Sequence, residues 1–146
     1  MKIVGYNNDK KFKGVNLNDK IKVNIPNKNN LSSNKLRKDL KTLLDELPLH
    51  DGMTISFHHH LRNGDYVLNL VMKEIAKRKI KDITIFASSI FPCHEPLVEY
   101  IEKGIVTQIY AAFISGPVAS AISEGKMAKV VVMHTHGGRP RLVESG

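Results

Sequence analysis

Met53-Thr54-Ile55-Ser56-Phe57, an amphipathic run from Asp65 to Lys79, and Asp82-Ile83-Thr84-Ile85-Phe86-Ala87 read in succession as strand, helix and strand. The outer segments are short and apolar, with the β-branched and aromatic residues that suit buried strands. Between them Val67, Leu68, Leu70, Val71, Ile75 and Ala76 recur at helical spacing and are available to pack. Two strands joined through a helix run parallel and are connected by a right-handed crossover.

The same alternation continues downstream. His94 to Lys103 predicts a helix with Leu97, Val98 and Ile101 inward, and Val106 to Ala111 a third strand. Pro117 to Ser123 predicts another helix, and Lys129 to Met133 a fourth strand. The predicted fold class is therefore α/β, a parallel doubly wound sheet with flanking helices. Upstream, Leu36, Leu40, Leu43, Leu44 and Leu47 place a helix over Lys35 to Leu47, capped by Ser33 or Asn34 and closed by Pro48 and Asp51-Gly52. Lys11 to Val15 and Ile21 to Ile25 alternate like short strands, with a loop from Asn27 to Ser33. No helix is expected after the last strand, through Val143-Glu144-Ser145-Gly146. A pattern that stops there predicts part of a longer chain.

The net charge of +8 is unevenly spread. Residues 1–45 carry eleven Lys or Arg against four Asp or Glu, whereas residues 46–146 carry eleven against ten. A basic Lys/Asn-rich leader over 1–35 thus precedes a nearly neutral α/β domain over 36–146. The leader has few aromatics, so it lacks the stacking platform of single-strand binders, and no nucleic-acid partner is expected. No apolar run approaches the roughly 18 residues of a membrane span, and no secretory signal opens the chain. The single cysteine, Cys93, excludes an internal disulfide framework and suits a cytoplasmic location.

Six of the seven histidines fall where predicted strands end: His58, His59, His60, His94, His134 and His136. Open α/β sheets bind ligands at the carboxyl ends of their strands, so this edge is the expected site. Around the first group, Arg62, Asn63 and Gly64 precede Asp65, a helix cap, and suit an anionic group. Adjacent residues of an extended backbone point to opposite sides, so the triplet cannot face one metal while it stays extended. After the second strand come the hydroxyls of Ser88 and Ser89, fit for a ligand carbonyl or for an ordinary turn. Cys93 beside His94 invites a thiol–imidazole reading, but sequence neighbours are not a nucleophile–base pair without the geometry.

Ser115 and Gly116 form a small-residue turn before Pro117, whose amides either approach a ligand or simply enter a helix. His134 and His136 share one side of an extended strand, which makes them the better chelating pair. Gly137-Gly138 allows close backbone approach or an oxyanion nest, and Arg139 a bidentate carboxylate contact. No dinucleotide fingerprint, phosphate-binding loop or His-Glu-x-x-His motif occurs.

Taken together, Asp51 through Asn69, Ala87-Ser88-Ser89, Gly104 through Tyr110, Ser115 through Ala119 and His134 through Arg139 resemble the citrate lyase alpha chain family in order and spacing. The resemblance runs from about residue 36 to the end. It implies a CoA-transferase-like fold and a citrate CoA-transferase that converts acetyl-thioester and citrate into citryl-thioester and acetate. His58, His59, His60 and His136 are then candidate catalytic residues. Arg62, Asn63, Gly64, Ser88, Ser89, Ser115, Gly116, Gly137, Gly138 and Arg139 are candidates for binding substrate. No resident cofactor or metal is implied. The thioester sits on a CoA-like prosthetic group of the acyl carrier (gamma) chain, and the beta chain cleaves the citryl product. The family's chain is much longer, so its C-terminal half is a further expected partner, without which this chain is expected to be inactive. No covalent glutamate is assigned, and nothing marks Glu144 as one. Citramalate is the alternative acid.

Two rival classes follow from the same residues. A metal-dependent hydrolase would use His134, His136 and one earlier histidine. A non-catalytic assembly domain would dock an acidic carrier protein on the basic leader.

Overall fold

Short apolar runs become strands here, and the run Ile83–Ala87 is buried along its whole length. A computed structural model describes residues 36–58 and 62–145, with only the backbone of Arg62. The leader over 1–35, with its predicted strands and the Ser33 or Asn34 cap, lies outside the described residues. The strands β1 (Thr54–Phe57), β2 (Ile83–Ala87), β3 (Val106–Ala111) and β4 (Val132–Met133) form one parallel sheet in the order β1-β2-β3-β4. The helices are α1 (Leu40–Asp45), α2 (Val67–Lys77), α3 (Leu97–Glu102), α4 (Pro117–Ser123) and α5 (Arg139–Ser145). The expected α/β sheet with flanking helices is present. Its strands follow chain order, so the reversal that defines double winding does not occur among the described residues.

Right-handed crossovers in one direction put α2, α3 and α4 on one face of the sheet. There α2 packs beside α3, and α3 beside α4. Phe57, Ile83, Ile85, Ala87, Ile109 and Ala111 meet Leu68, Met72 and Ile75 of α2, Leu97 and Ile101 of α3, and Val118 of α4 in the core. The opposite face alternates with this one: Thr54, Thr84, Phe86, Gln108 and Tyr110 look toward α5. Between them and Leu142, Val143 and Ser145 lies a cleft of about 300 Å³.

Several boundaries depart from expectation for local reasons. The first helix spans Leu40–Asp45 because Asp39 caps it, accepting the Thr42 amide at 2.8 Å. Only Leu44 of its leucine face is buried, while Leu43 and Leu47 stay exposed. In α2 the inward residues are Leu68, Met72 and Ile75, and Val67 and Leu70 remain exposed. The N-cap is Tyr66, which makes no side-chain cap, and not Asp65 as expected; Asp65 stands one residue earlier, where its Oδ1 accepts the Val67 amide at 3.0 Å. β4 keeps two residues of the predicted five: Gln108 Nε2 donates to the Val130 carbonyl, and a side chain stands where a strand neighbour would. A helix does follow the last strand. Pro140 falls in the first turn of α5, where its missing N–H costs nothing.

Opposite the carboxyl edge, Asp82 ties three segments together. Its backbone takes φ +58°, and its Oδ1 accepts Thr107 Oγ1 and meets Lys129 Nζ, each at 2.5 Å. Thr107 is the extra residue where the β2–β3 register shifts. The Lys129 ammonium, followed by the Thr107 hydroxyl, holds the Asp82 carboxyl below its ordinary value. A carboxyl lowered by folding stabilises above its unfolded pKa, and that contribution disappears as pH falls through the folded value. Asp82→Asn is therefore expected to weaken the fold at neutral pH and to flatten the loss of stability below about pH 4. Urea unfolding across that range measures it.

Candidate active site

At the carboxyl edge of the sheet the strand ends are joined by a single guanidinium. Arg139, 83 residues beyond Ser56, donates from Nη2 to Ser56 Oγ at 2.6 Å and to the Phe57 carbonyl at 3.1 Å. The same carbonyl accepts the Ser88 amide at 3.2 Å. The guanidinium carbon lies 4.6 Å from the Phe86 ring centre, a cation–π contact. The His134 ring meets the same phenyl group edge-on at 5.1 Å. Among the described residues, Arg139 Nη1 and His134 Nε2 are both buried without a hydrogen-bond partner. Leaving such a group unpaired costs about 1–3 kcal/mol, more when it is charged.

Beyond the strand end the geometry around His134 is no longer that of a strand. Its amide still donates to the Ala111 carbonyl at 3.0 Å, and its Nδ1 contacts the Thr135 carbonyl at 3.0 Å. His136 to Gly138 then turn as a 3-10 helix, with Thr135 Oγ1 accepting the Gly138 amide at 3.0 Å. The extended geometry expected to set His134 and His136 on one side ends at Met133, so the chelating pair does not form as predicted. His136 and Gly137 are exposed. The Gly138 amide is already engaged by Thr135, which leaves no open nest at that position.

A second group of contacts fixes the segment after β1. Arg62 to Gly64 make a 3-10 turn, and Asn63 Oδ1 accepts the Cys93 amide at 2.9 Å. Asn69 Nδ2 donates to the Cys93 carbonyl at 2.8 Å. His94 is fully buried: Nδ1 accepts the Phe91 amide at 2.9 Å, so Nε2 carries the proton toward the Asp65 carbonyl at 3.0 Å. This strand-end histidine holds two loops together and does not face a ligand. The Cys93 thiol points at the Asp65 carbonyl at 3.6 Å. Burial pushes its pKa up, and the Asp65 charge adds to that, the opposite of an activated nucleophile.

The third loop packs on the second. Ile90 and Ile114 pair beyond the strands, and the Ser115 amide donates to the Ile90 carbonyl at 3.0 Å. Gly116 takes φ +71° and ψ −153° directly before α4, against Pro92. Ser88 is buried at the edge, and Ser89 is half-buried. His58 is exposed just past β1. His59, His60 and the Arg62 side chain lie outside the described residues. Among the described residues no group of three His, Cys, Asp or Glu is placed to hold a metal ion. No described helix is long and apolar enough to cross a membrane.

The edge thus gathers His58, Ser88, His134, Gly138 and Arg139 around Phe86 and the end of β1. Phe86 and Asn69 were not singled out from sequence. The alternation Ile83, Ile85, Ala87 against Thr84, Phe86 carried the signal for Phe86, since it assigns that ring to the face opposite the core.

A family model for the alpha subunit of citrate lyase matches residues 33–146. The citrate lyase alpha chain of Escherichia coli is 48% identical over 112 residues, covering 77% of this chain and 22% of the relative. That of Haemophilus influenzae is 43% identical over 126 residues, covering 84% of this chain and 25% of the relative. A solved structure of the alpha subunit of citrate lyase from Streptococcus mutans, in complex with citrate, matches with a TM-score of 0.69 at 50% identity. The match covers 70% of this chain and 20% of that one. The chain spans about a quarter of the length of the curated relatives it matches.

Proposed function

The chain belongs to the citrate lyase alpha subunit family, and from that membership we propose that it provides part of a citrate CoA-transferase site. The reaction is acetyl-thioester plus citrate to citryl-thioester plus acetate. The thioester is carried on a CoA-like prosthetic group of an acyl carrier chain, and a beta chain cleaves the citryl product. The remainder of the family's longer chain faces this edge and completes the site. The assembly is an oligomer working in the cytoplasm, with no resident cofactor or metal on this chain.

The observation that carries this reading is the guanidinium of Arg139 at the carboxyl edge. A tricarboxylate needs fixed cationic donors, and the carbonyl oxygen of a thioester gains charge as it is attacked. Arg139 is anchored through one nitrogen and through the face of Phe86, while its other terminal nitrogen has no partner among the described residues. A donor held in place before the ligand arrives loses little freedom on binding. His58 and His136 are exposed on the same edge, within reach of solvent-borne substrate.

Calorimetric titration of the purified chain with citrate and with acetyl-CoA, in chelator, tests the proposal. Saturable binding of either ligand supports it; binding of neither removes the site from this chain. In the same assay His136→Ala is expected to weaken citrate binding roughly tenfold, the 1.4 kcal/mol of one hydrogen bond. His50→Ala, an exposed ring on the Asp51 carbonyl before β1, is expected to leave binding unchanged. Equal effects would overturn the assignment of the carboxyl edge.

A further inference from the structure

His94 is a fully buried imidazole whose two ring nitrogens hold backbone from two different loops. The Phe91 amide donates to Nδ1 at 2.9 Å, which requires a neutral ring with its proton on Nε2, directed at the Asp65 carbonyl at 3.0 Å. Cys93 completes the tie: its amide donates to Asn63 Oδ1 at 2.9 Å, and its carbonyl accepts Asn69 Nδ2 at 2.8 Å. The segment that leaves β1 at His58 is thereby fixed to the segment that leaves β2 at Ser88. Both segments belong to the carboxyl edge.

We propose that His94 is an acid-sensitive latch between these two segments: neutral, it holds them together, and protonated on Nδ1 it releases Phe91 and lets them part. A proton on Nδ1 would set one N–H donor against another, the Phe91 amide, in a site closed to solvent. Burial opposes the cation as well. The charged residues of the segments packed around the ring are Asp65, Arg62 of the turn after β1, and Glu95, exposed beside it in the chain. α4, packed on the same loop, carries no titratable side chain. The Cys93 thiol, its pKa raised by burial, stays neutral in mild acid. The Asp65 carboxylate favours the cation and offsets part of the cost of burial, but it does not turn the Phe91 donor into an acceptor. The closed latch therefore binds the proton less readily than the open one, whose imidazole titrates near about 6.5. Its grip is complete above that value and weakens as pH falls below it. Ile90 and Leu97, fully buried on either side of the loop, keep its ends in the core, so the opening is local.

Cys93, the single cysteine, reports the opening, because its half-buried thiol lies 3.6 Å from the Asp65 carbonyl inside the latch. The test follows the rate at which dithiodipyridine, a thiol reagent active in acid, modifies the whole 146-residue chain. Each rate is divided by that of the urea-unfolded chain at the same pH, which removes the titration of the thiol itself. Between about pH 7.5 and about pH 5.5 the ratio is expected to rise about tenfold, the effect of one proton bound by the open form alone. In His94→Asn, whose Oδ1 accepts the Phe91 amide but does not titrate, the ratio is expected to stay flat. A flat ratio in the unaltered chain, or the same rise in the variant, overturns the latch. Far-UV circular dichroism shows whether the variant folds. If it does not, the nitrogen-15 shifts of the unaltered chain decide. Loss of the neutral His94 ring over the range in which Cys93 becomes reactive supports the latch, and reactivity while that ring stays neutral overturns it.

Discussion

Gly116→Ala is expected to destabilise the fold by about 3–5 kcal/mol, from left-handed strain and overpacking combined. For a domain of this size the melting temperature should fall by roughly 10 °C or more. Gly116 has φ +71°, a region an L side chain enters only under strain. A Cβ built there would lie 2.9 Å from Pro92 Cα and 2.9 Å from Pro92 Cγ. Those atoms are backbone and a closed ring, so they cannot swing aside as a flexible side chain would. The loop after β2 would have to move off the start of α4, and that loop also carries Cys93 and His94, which hold the segment after β1. Gly64→Ala is the control. Gly64 has no positive φ and, among the described residues, nothing within 4 Å of a built Cβ. Its stability is expected to change by no more than about 0.5 kcal/mol. Both glycines belong to segments read from sequence as ligand-binding, so thermal unfolding without ligand separates a steric role from a binding one. Equal melting temperatures would refute the close approach of the two loops.

What was legible in the sequence is what tertiary context did not alter. β2, β3 and α4 are central or tightly phased, and Ile83–Ala87, Val106–Ala111 and Pro117–Ser123 match the expected elements closely. The peripheral elements were not. α1 starts where Asp39 caps it, well after the start of its leucine pattern, and periodicity alone cannot locate a cap. β4 loses its first residues because Lys129 turns to Asp82 and Gln108 to Val130, long-range contacts with no local signal. α5 was missed although Pro140 stands in its first turn, since Gly137-Gly138 reads as a loop and Thr135 closes it instead into a turn.

The site divides along the same line. Its position at the strand ends followed from alternation, but the roles within it did not. His94 and His134 both follow strands in sequence, yet among the described residues the first has both ring nitrogens bonded and the second has only one. That difference depends on Asp65 and Phe91, whose backbone positions no pattern of residue types specifies.

Arg139→Lys is expected to reduce citrate affinity about 100-fold, close to 3 kcal/mol, with a smaller loss of stability. A lysine ammonium is a single centre. It cannot donate to Ser56 Oγ and the Phe57 carbonyl, lie flat on Phe86 and still direct a separate donor toward a carboxylate. The stability loss is expected to be about 1–2 kcal/mol, because the end of β1 loses its link to α5 while the core is untouched. The signature of the variant lies in its selectivity. Citrate and propane-1,2,3-tricarboxylate both carry the carboxylate that Arg139 is proposed to hold, so Arg139→Lys should weaken both by the same factor. Calorimetry of the two acids on this variant therefore reads recognition of the shared carboxylate apart from the hydroxyl. If Arg139→Lys left affinity for both acids unchanged while lowering the melting temperature, Arg139 would be a structural tie alone, and the anion-binding role would have to belong to other donors at this edge.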